Sequence, residues 1–232
     1  MLINEEFGHR MGAVLNEADL LGIEWSRGED AVACTFAVIA MDKDGQVPED
    51  NRVSVIFRPI GRFVASYRKG HWDDEEAEVE YFEPEQILEI VQRFGGLPIY
   101  GWDFINCGDK DFDRWKNRLS FDYSTGDGLG LTNTIDLFQA GTDQTLNVRI
   151  WFDDFDVLTP HHEKVDLVEF LENGRRGWDA IYASDEKMQG FGIFPATKKS
   201  TNALISAIKE LKSDEQPRSW RTRFKDRFGS KR

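Results

Sequence analysis

Apolar and polar residues alternate along Val148–Val157, which predicts a β-strand with one interruption. The alternation stops at Asp153-Asp154 and then resumes. An earlier stretch, Val53–Phe63, has the same outline and is interrupted at Arg58-Pro59. The corresponding apolar positions are Val53, Val55, Phe57 and Ile60 in the earlier stretch and Val148, Ile150, Phe152 and Phe155 in the later one. This correspondence predicts that one β-module occurs twice in the chain.

The first predicted module consists of alternating runs separated by turn residues. Leu21–Trp25 and Ala31–Met41 have the pattern of two strands. Arg52–Pro59 and Arg62–Lys69 have the pattern of two more, with a bend or bulge at Gly61 between them. The order predicts an antiparallel meander of about four strands.

The second predicted module has the same order of elements. Its strands are expected at Leu119–Tyr123, Leu131–Phe138 and Thr145–Leu158, and turn residues separate them. A short apolar run just before it, Leu97–Asn106, predicts a further strand.

A helix is predicted after each module. Pro84 in the first turn and an apolar stripe indicate a helix that ends at Gly95-Gly96. Asp166 can cap a second helix, which Asn173-Gly174 is expected to stop. Apolar residues at helical spacing predict a last helix over Thr201–Leu211.

We therefore predict an α+β fold: a mainly antiparallel β-sheet from two related β-meander modules, each followed by a helix, plus C-terminal helices. A chain of 232 residues with 40% hydrophobic content can bury a substantial core. Residues 1–216 are expected to form a single compact domain, in which 18–96 and 97–185 are candidate pseudo-repeated halves. Residues 217–232 are expected to form a basic amphipathic tail.

Charge is unevenly distributed along the chain. The net charge is −13, which argues against general nucleic-acid binding. From Pro217 to Arg232 there are seven basic residues and one acidic residue, a net of +6. The preceding residues therefore carry −19, since −13 minus 6 is −19. The tail could therefore be attracted to the acidic body of its own molecule as readily as to a partner.

The tail combines its charge with regularly spaced aromatic residues. Trp220, Phe224 and Phe228 recur every four residues and would form one stripe of a helix, flanked by Arg221 and Lys225. A basic amphipathic helix can contact an anionic membrane surface, a groove in a partner, or phosphates. The alternative is that the stripe packs on the acidic body of the same molecule or of a second copy in a homo-oligomer.

Targeting and cysteine patterns point to the cytoplasm. The N-terminus lacks the basic-then-apolar order of a signal peptide, and the chain has no long apolar run. The two cysteines, Cys34 and Cys107, are too far apart for a metal or redox motif, and we expect free thiols.

Two patterns resemble ligand-binding loops but fail on their remaining positions. Asp109, Asp111 and Asp113 alternate like the first ligands of a calcium loop, yet Arg114 stands where that loop needs glycine. The glycines between 126 and 130 precede a strand-like run, whereas a phosphate-binding loop precedes a helix. We therefore predict neither a metal nor a cofactor.

Asp153 and Asp154, followed by His161 and His162, form the best carboxylate–imidazole neighbourhood in the chain. Such groups can act as acid and base in a hydrolase or bind a metal. Adjacent residues on a strand point to opposite faces, however, and a bulge with solvated acids explains the pattern equally.

Trp102-Asp103 is a second candidate, since a tryptophan beside a carboxylate can line a stacking pocket; a core tryptophan is the structural alternative.

The chain contains no nucleophile elbow, phosphate-binding loop, HExxH helix or paired CxxC. We therefore predict a non-enzymatic binding protein with a protein partner. A toxin-neutralising immunity-type protein is one concrete version, because such an inhibitor needs only a complementary, often acidic surface. The alternative is a hydrolase that uses the carboxylates at Asp153-Asp154.

Overall fold

A computed structural model describes residues 3–125 and 133–191, which belong to one compact unit. The helices are α1 (Glu5–Leu15), α2 (Ile87–Gln92), α3 (Asp109–Asp113) and α4 (Leu167–Tyr182). The strands are β1 (Asp19–Ser26), β2 (Ala31–Ala37), β3 (Arg52–Lys69), β4 (Glu78–Val79), β5 (Phe121–Ser124), β6 (Asn133–Ala140) and β7 (Gln144–Leu158). No helix among these residues is long and apolar enough to cross a membrane.

The seven strands form one antiparallel sheet with the order β1-β2-β3-β7-β6. Strand β3 is its centre, because β7 pairs along almost the whole of one side. The other side of β3 is shared in turn by β2, β5 and β4. The predicted α+β class with a mainly antiparallel sheet is confirmed, and both predicted halves contribute to the same sheet.

Strand β3 corrects the prediction of two separate strands. The chain continues through the bend as one strand of 18 residues, and an extra residue at Gly61 shifts its register against β7. The Arg58-Pro59 peptide bond is cis. The loss of alternation in the sequence therefore marks a bulge within a strand rather than the end of one.

The repeat of two meanders is not confirmed. Strands β1, β2 and β3 pair consecutively, whereas β5 pairs with β3 and leaves only the β6–β7 hairpin in the second half. The two interruptions nevertheless meet. Arg58 pairs with Asp154, between the pairs Phe57–Phe155 and Ile60–Phe152. Both strands thus break their alternation at the same place, and the apolar residues on either side of the bend remain in the same core.

The predicted strand at Leu97–Asn106 is instead a connection that touches both edges of the sheet. Pro98 bridges to Asp19 of β1, while Ile99 and Ile105 bridge to Gln139 and Ile135 of β6. Irregular backbone is expected here because Gly101 has a φ of +155°. The connection also packs tightly on α1, since a Cβ on Gly12 would lie 2.2 Å from the Trp102 carbonyl oxygen.

One helix, α1, lies where no helix is predicted, and another, α4, is longer than its pattern predicts. Residues 5–15 form a full helix, which Asn4 caps by accepting a 2.8 Å hydrogen bond from the Phe7 amide. Helix α4 continues through Asn173-Gly174 to Tyr182, so the predicted stop is wrong. Gly174 serves packing instead, because a Cβ there would lie 2.4 Å from Val14 Cγ2. The missing side chain allows α1 and α4 to approach closely.

The main core lies on one face of the sheet, between the strands and helices α1, α2 and α4. Phenylalanines from both bends meet there, with ring centroids of Phe57 and Phe152 4.7 Å apart. Cys34 is buried in this core, and it and the half-buried Cys107 are both free thiols. The opposite face carries a separate small cluster of Val64, Phe112 and Trp115.

Candidate functional site

The bend at Asp153-Asp154 has a structural role on its inner side and paired charges on its outer side. Inside, Phe57, Phe152 and Phe155 form a ring cluster. Outside is a cavity of about 430 Å³, lined by Glu29, Arg58, Pro59, Asp154, Phe155, Asp156 and Lys164. Lys164 and Arg58 both bind Asp156 and lower the pKa of its carboxyl group. Asp153 and Asp154 are exposed. A carboxyl group that acts as a general acid is usually buried, because burial raises its pKa.

His161 and His162 lie in a turn beyond the end of β7. The Thr159 hydroxyl accepts hydrogen bonds from the His161 and Glu163 amides and so stabilises this turn. The chain then runs back along β7, where Lys164 bridges to Leu158. Leu158 lies four positions after Asp154, a separation of about 13 Å along a strand. The structure therefore places the two histidines and the two aspartates in different parts of the surface.

Trp102 is exposed rather than part of the core, with 59% of its surface accessible. Its ring lies 6.4 Å from that of Trp178, which in turn lies 5.9 Å from Tyr182. Asp103 is also exposed and lies 3.5 Å from His9. These residues form an open aromatic surface and not an enclosed stacking pocket.

The alternating aspartates Asp109, Asp111 and Asp113 lie in α3. A helix turns by about 100° per residue, so the middle carboxylate points away from the other two, and a calcium loop requires convergence. Each of them lies near a cation: Arg149 for Asp109, Arg114 for Asp111 and Lys116 for Asp113. Across residues 3–125 and 133–191, no group of three or more acidic, histidine or cysteine side chains is placed to hold a metal.

The acidic segment Asp73–Glu89 has nine carboxylates and no lysine or arginine. It contains β4 and the turn that leads into α2. Glu80 is neutralised locally, since Lys69 and Arg93 bind it at 2.7 Å and 3.0 Å and lower its pKa. Glu75, Glu76 and Glu85 are exposed and form no ion pair with any residue that the structure describes.

An aromatic cavity of about 570 Å³ lies directly beside the acidic segment. Its aromatic lining consists of Trp25, Tyr81, Phe82, Phe121 and Tyr123. Its lining also contains the carboxylates of Glu83, Glu85 and Asp122. Arg27 is the one cationic side chain among the described lining residues. Tyr81 stands out because 79% of its surface is accessible, the largest exposure among the large apolar side chains of the described residues.

The walls of the aromatic cavity are fixed by the sheet and by a helix start. Trp25 lies near the end of β1, Tyr123 lies in β5, and their rings meet edge to face with centroids 4.6 Å apart. Glu83 and Gln86 form a capping box that sets the path of the chain into α2. Tyr81 and Phe82 just before it are thereby positioned, with Phe82 packed 5.2 Å from Phe121. The cavity is built by rigid elements and opens beside unneutralised carboxylates.

A buried ion pair occupies the face of the sheet opposite the main core. Arg149 of β7 is 2% exposed, and its Nε lies 3.5 Å from Oδ1 of Asp136 on β6. Its guanidinium also lies 4.9 Å from the Phe112 ring and donates to the Cys107 carbonyl. Burial raises the pKa of Asp136 to about 7, although Arg149 acts against that shift.

The sequence contains weak signals for the aromatic cavity with its acidic segment and for the Asp136–Arg149 pair. The run of nine carboxylates indicates an exposed surface, yet the aromatic cavity requires residues from three distant parts of the chain. Asp136 and Arg149 each interrupt an apolar run of a strand, which marks them as candidates for a buried pair. Their pairing depends on the register of β6 and β7.

Several predicted features lie outside the described residues. They are the tail residues Trp220, Arg221, Phe224, Lys225 and Phe228, the glycines Gly126, Gly128 and Gly130, and the predicted helix Thr201–Leu211.

Comparisons of the chain with protein-family models, with curated proteins and with solved structures find no match. The functional conclusion therefore depends on the acidic segment and the aromatic cavity themselves.

Proposed function

We propose that this protein is a non-enzymatic binding protein that engages a basic protein partner through the acidic segment and the aromatic cavity. The observation that carries the proposal is their adjacency: Glu83 and Glu85 belong to the acidic segment and also line the cavity. Exposed aromatic side chains beside complementary charge are the usual energetic centre of a protein interface.

The charge of the acidic segment supplies the long-range part of the recognition. Its unpaired carboxylates attract a basic surface before contact, which raises the rate of association and makes it depend on salt. A body with a charge of −19 before residue 217 adds to that field. A basic toxin, which this protein would neutralise as an immunity-type inhibitor, is a concrete partner class with this chemistry.

The cavity supplies the short-range part. Tyr81 offers a rigid aromatic ring that a partner can cover, and the Trp25–Tyr123 pair forms a firm wall behind it. An arginine or lysine side chain is the occupant that fits best, since rings attract a cation and Glu83 and Glu85 can pair with it.

A charge-neutralising triple variant tests the proposal. Glu75, Glu76 and Glu85 would be changed together to Gln, and proteins captured from a lysate of the source organism would be compared with those captured by the wild type. The matched control changes Glu49, Glu163 and Glu169 to Gln, which are equally exposed but belong to other regions. We expect basic partners that the wild type and the control retain and the triple variant loses.

Retention of the same partners by all three proteins would contradict the proposal, because the acidic segment would then contribute nothing to recognition. Added salt gives a second check, since binding through this segment must weaken as ionic strength rises.

A further inference from the structure

The face of the sheet opposite the main core contains many buried polar atoms without hydrogen-bond partners. Among the described residues, twelve fully buried side-chain nitrogen and oxygen atoms lack such a partner, and eight of them lie on this face. They belong to a set that we call the polar face: Ser66, Arg68, Asp136, Thr145, Asn147 and Arg149. Native proteins leave only a few such atoms, because each one lowers the stability of the folded state.

The register of the strands places these residues side by side. Val64 pairs with Arg149, Ser66 with Asn147 and Arg68 with Thr145, while Asp136 is opposite Arg149 on β6. Alternate residues of a strand share a face, so the six side chains form one continuous layer. Ser66, Arg68, Thr145 and Arg149 are each more than nine-tenths buried.

The unsatisfied atoms are mostly hydrogen-bond donors. Six of the eight can donate: Ser66 Oγ, Arg68 Nε, Thr145 Oγ1, Asn147 Nδ2, and Nε and Nη1 of Arg149. The other two are the carboxylate oxygens of Asp136, which only accept while the group is ionised. One of them, Oδ1, forms the ion pair with Arg149 Nε at 3.5 Å but no hydrogen bond. A layer with this surplus of donors, three of them guanidinium nitrogens of Arg68 and Arg149, is complementary to an oxyanion.

The segment that covers part of the polar face, residues 107–119, is held weakly. Its only helix, α3, has five residues and no side-chain cap at Gly108. Its apolar contacts with the sheet are those of the small cluster around Phe112 and Trp115, which is separate from the main core. Arg149 adds a hydrogen bond to the Cys107 carbonyl and a contact with the Phe112 ring. Segments with few buried apolar contacts open at a low free energy.

We propose that the polar face is an oxyanion-binding site, which the segment of residues 107–119 uncovers when it lifts from the sheet. Arg149 is the principal ligand residue, and Asn147, Ser66 and Thr145 supply neutral donors beside it. The shared chemistry is that of a phosphate or a carboxylate group. This site is independent of the acidic segment and of any protein partner.

Titration of the full chain with inorganic phosphate and, separately, with citrate tests this proposal, with sodium chloride at the same ionic strength as the reference. We expect at least one oxyanion to raise the melting temperature and to change tryptophan fluorescence, because the Trp151 ring lies 5.1 Å from the Arg149 guanidinium and Trp115 packs on Phe112 in the cover. The stronger response identifies phosphate or carboxylate as the preferred group. No response beyond that of chloride to either anion would overturn the proposal.

Three variants separate a binding site from a structural ion pair. Arg149→Lys keeps the charge but loses the fork of donors, and we expect it to weaken anion binding by about 10- to 100-fold. Asp136→Asn removes the carboxylate that competes for Arg149 and should strengthen binding. Trp115→Ala should also strengthen binding, because it loosens the cover. Arg175→Lys, on the exposed surface of α4, is the matched control and should leave binding unchanged.

If Arg149→Lys does not fold, the two strengthening variants decide the outcome. A purely structural role of the polar face predicts altered stability and unchanged anion affinity in both of them. That result, or equal weakening by Arg175→Lys, would overturn the proposal.

Discussion

The two faces of strands β3 and β7 are built from alternate residues of the same two strands but differ in chemistry. One face presents Phe57, Phe63 and Phe152 to a continuous apolar core. The other presents Arg68, Arg149 and their polar neighbours to a thin cover. The first face resembles the interior of a stable domain, whereas the second has donors that the described residues do not satisfy.

The difference separates stability from function within one sheet. Burial of the aromatic face accounts for the fold, since dense apolar packing is the main stabilising contribution in proteins. The polar face costs stability as it stands, so its retention in a marginally stable molecule is explained better by a ligand than by folding. The predictions below test this contrast, in order of decreasing expected effect.

Truncation in the aromatic face should have the largest effect. Phe57→Ala would leave a cavity beside Phe152 and Phe155, and we expect the free energy of unfolding to fall by about 3–5 kcal/mol. Urea denaturation followed by circular dichroism measures this loss. A decrease below about 1 kcal/mol would show that the bend is not part of the main core.

Substitution of Asp136 should change how stability depends on pH. Its folded pKa is raised from 3.8 to about 7, so the folded state binds a proton more tightly than the unfolded state. The wild type is therefore favoured at low pH and loses this contribution as the pH rises from about 4 to 7. Integrated over that window the upper limit is about 4 kcal/mol.

The measurement is urea denaturation of Asp136→Asn and the wild type between pH 4 and pH 8. We expect the variant to gain stability relative to the wild type across this window and to show a flatter profile. Asp44→Asn, in an exposed turn, is the control and should follow the wild type. Parallel profiles for all three proteins would contradict a raised pKa at Asp136.

Truncation of a side chain within the cover of the polar face should have a smaller and more local effect. Trp115 packs in the small cluster with Val64 and Phe112, so we expect Trp115→Ala to cost about 1–3 kcal/mol. Hydrogen exchange should accelerate mainly in residues 107–119 and not in β3 or β7. Uniform acceleration throughout the sheet would show that the cover and the core unfold together.

Truncation at the aromatic cavity should leave stability almost unchanged. Tyr81 is largely exposed, and Tyr81→Ala should alter the free energy of unfolding by no more than about 0.5 kcal/mol. Affinity for a basic partner should fall by about 30-fold, the value typical of an aromatic centre of an interface. Wild-type affinity in this variant would remove Tyr81 from the binding surface.

The strands and the fold class follow from local patterns, but the pairing does not. Alternation in Val148–Val157 identifies β7, and its matching interruption in β3 marks the point where the two strands meet. The pairing of β5 with β3 depends on contacts across about 60 residues, which no local period records. The predicted second meander is not confirmed, because β5 pairs with β3 instead of with its own module.

Glycine is the residue type that most misleads the helix prediction. Asn173-Gly174 is typical of a helix stop, yet Gly174 lies within α4. Glycine is needed there because Val14 of α1 occupies the space that a side chain would fill. The acid–imidazole neighbourhood at Asp153-Asp154 is likewise close in sequence only, because β7 carries the histidines away along its length. Spacing along the chain indicates proximity in space only where the backbone turns.

The central position of β3 determines when this protein can fold during synthesis. Its partner on one side is β7, so the pairing is complete only after the chain has been synthesised as far as Leu158, which pairs with Ser54. Until then a nascent chain exposes one whole side of an aromatic strand, which is prone to pair with other chains. Synthesis of the first half alone therefore yields an incomplete sheet, and a ribosome-stalled chain that ends before residue 144 should require a chaperone to stay soluble.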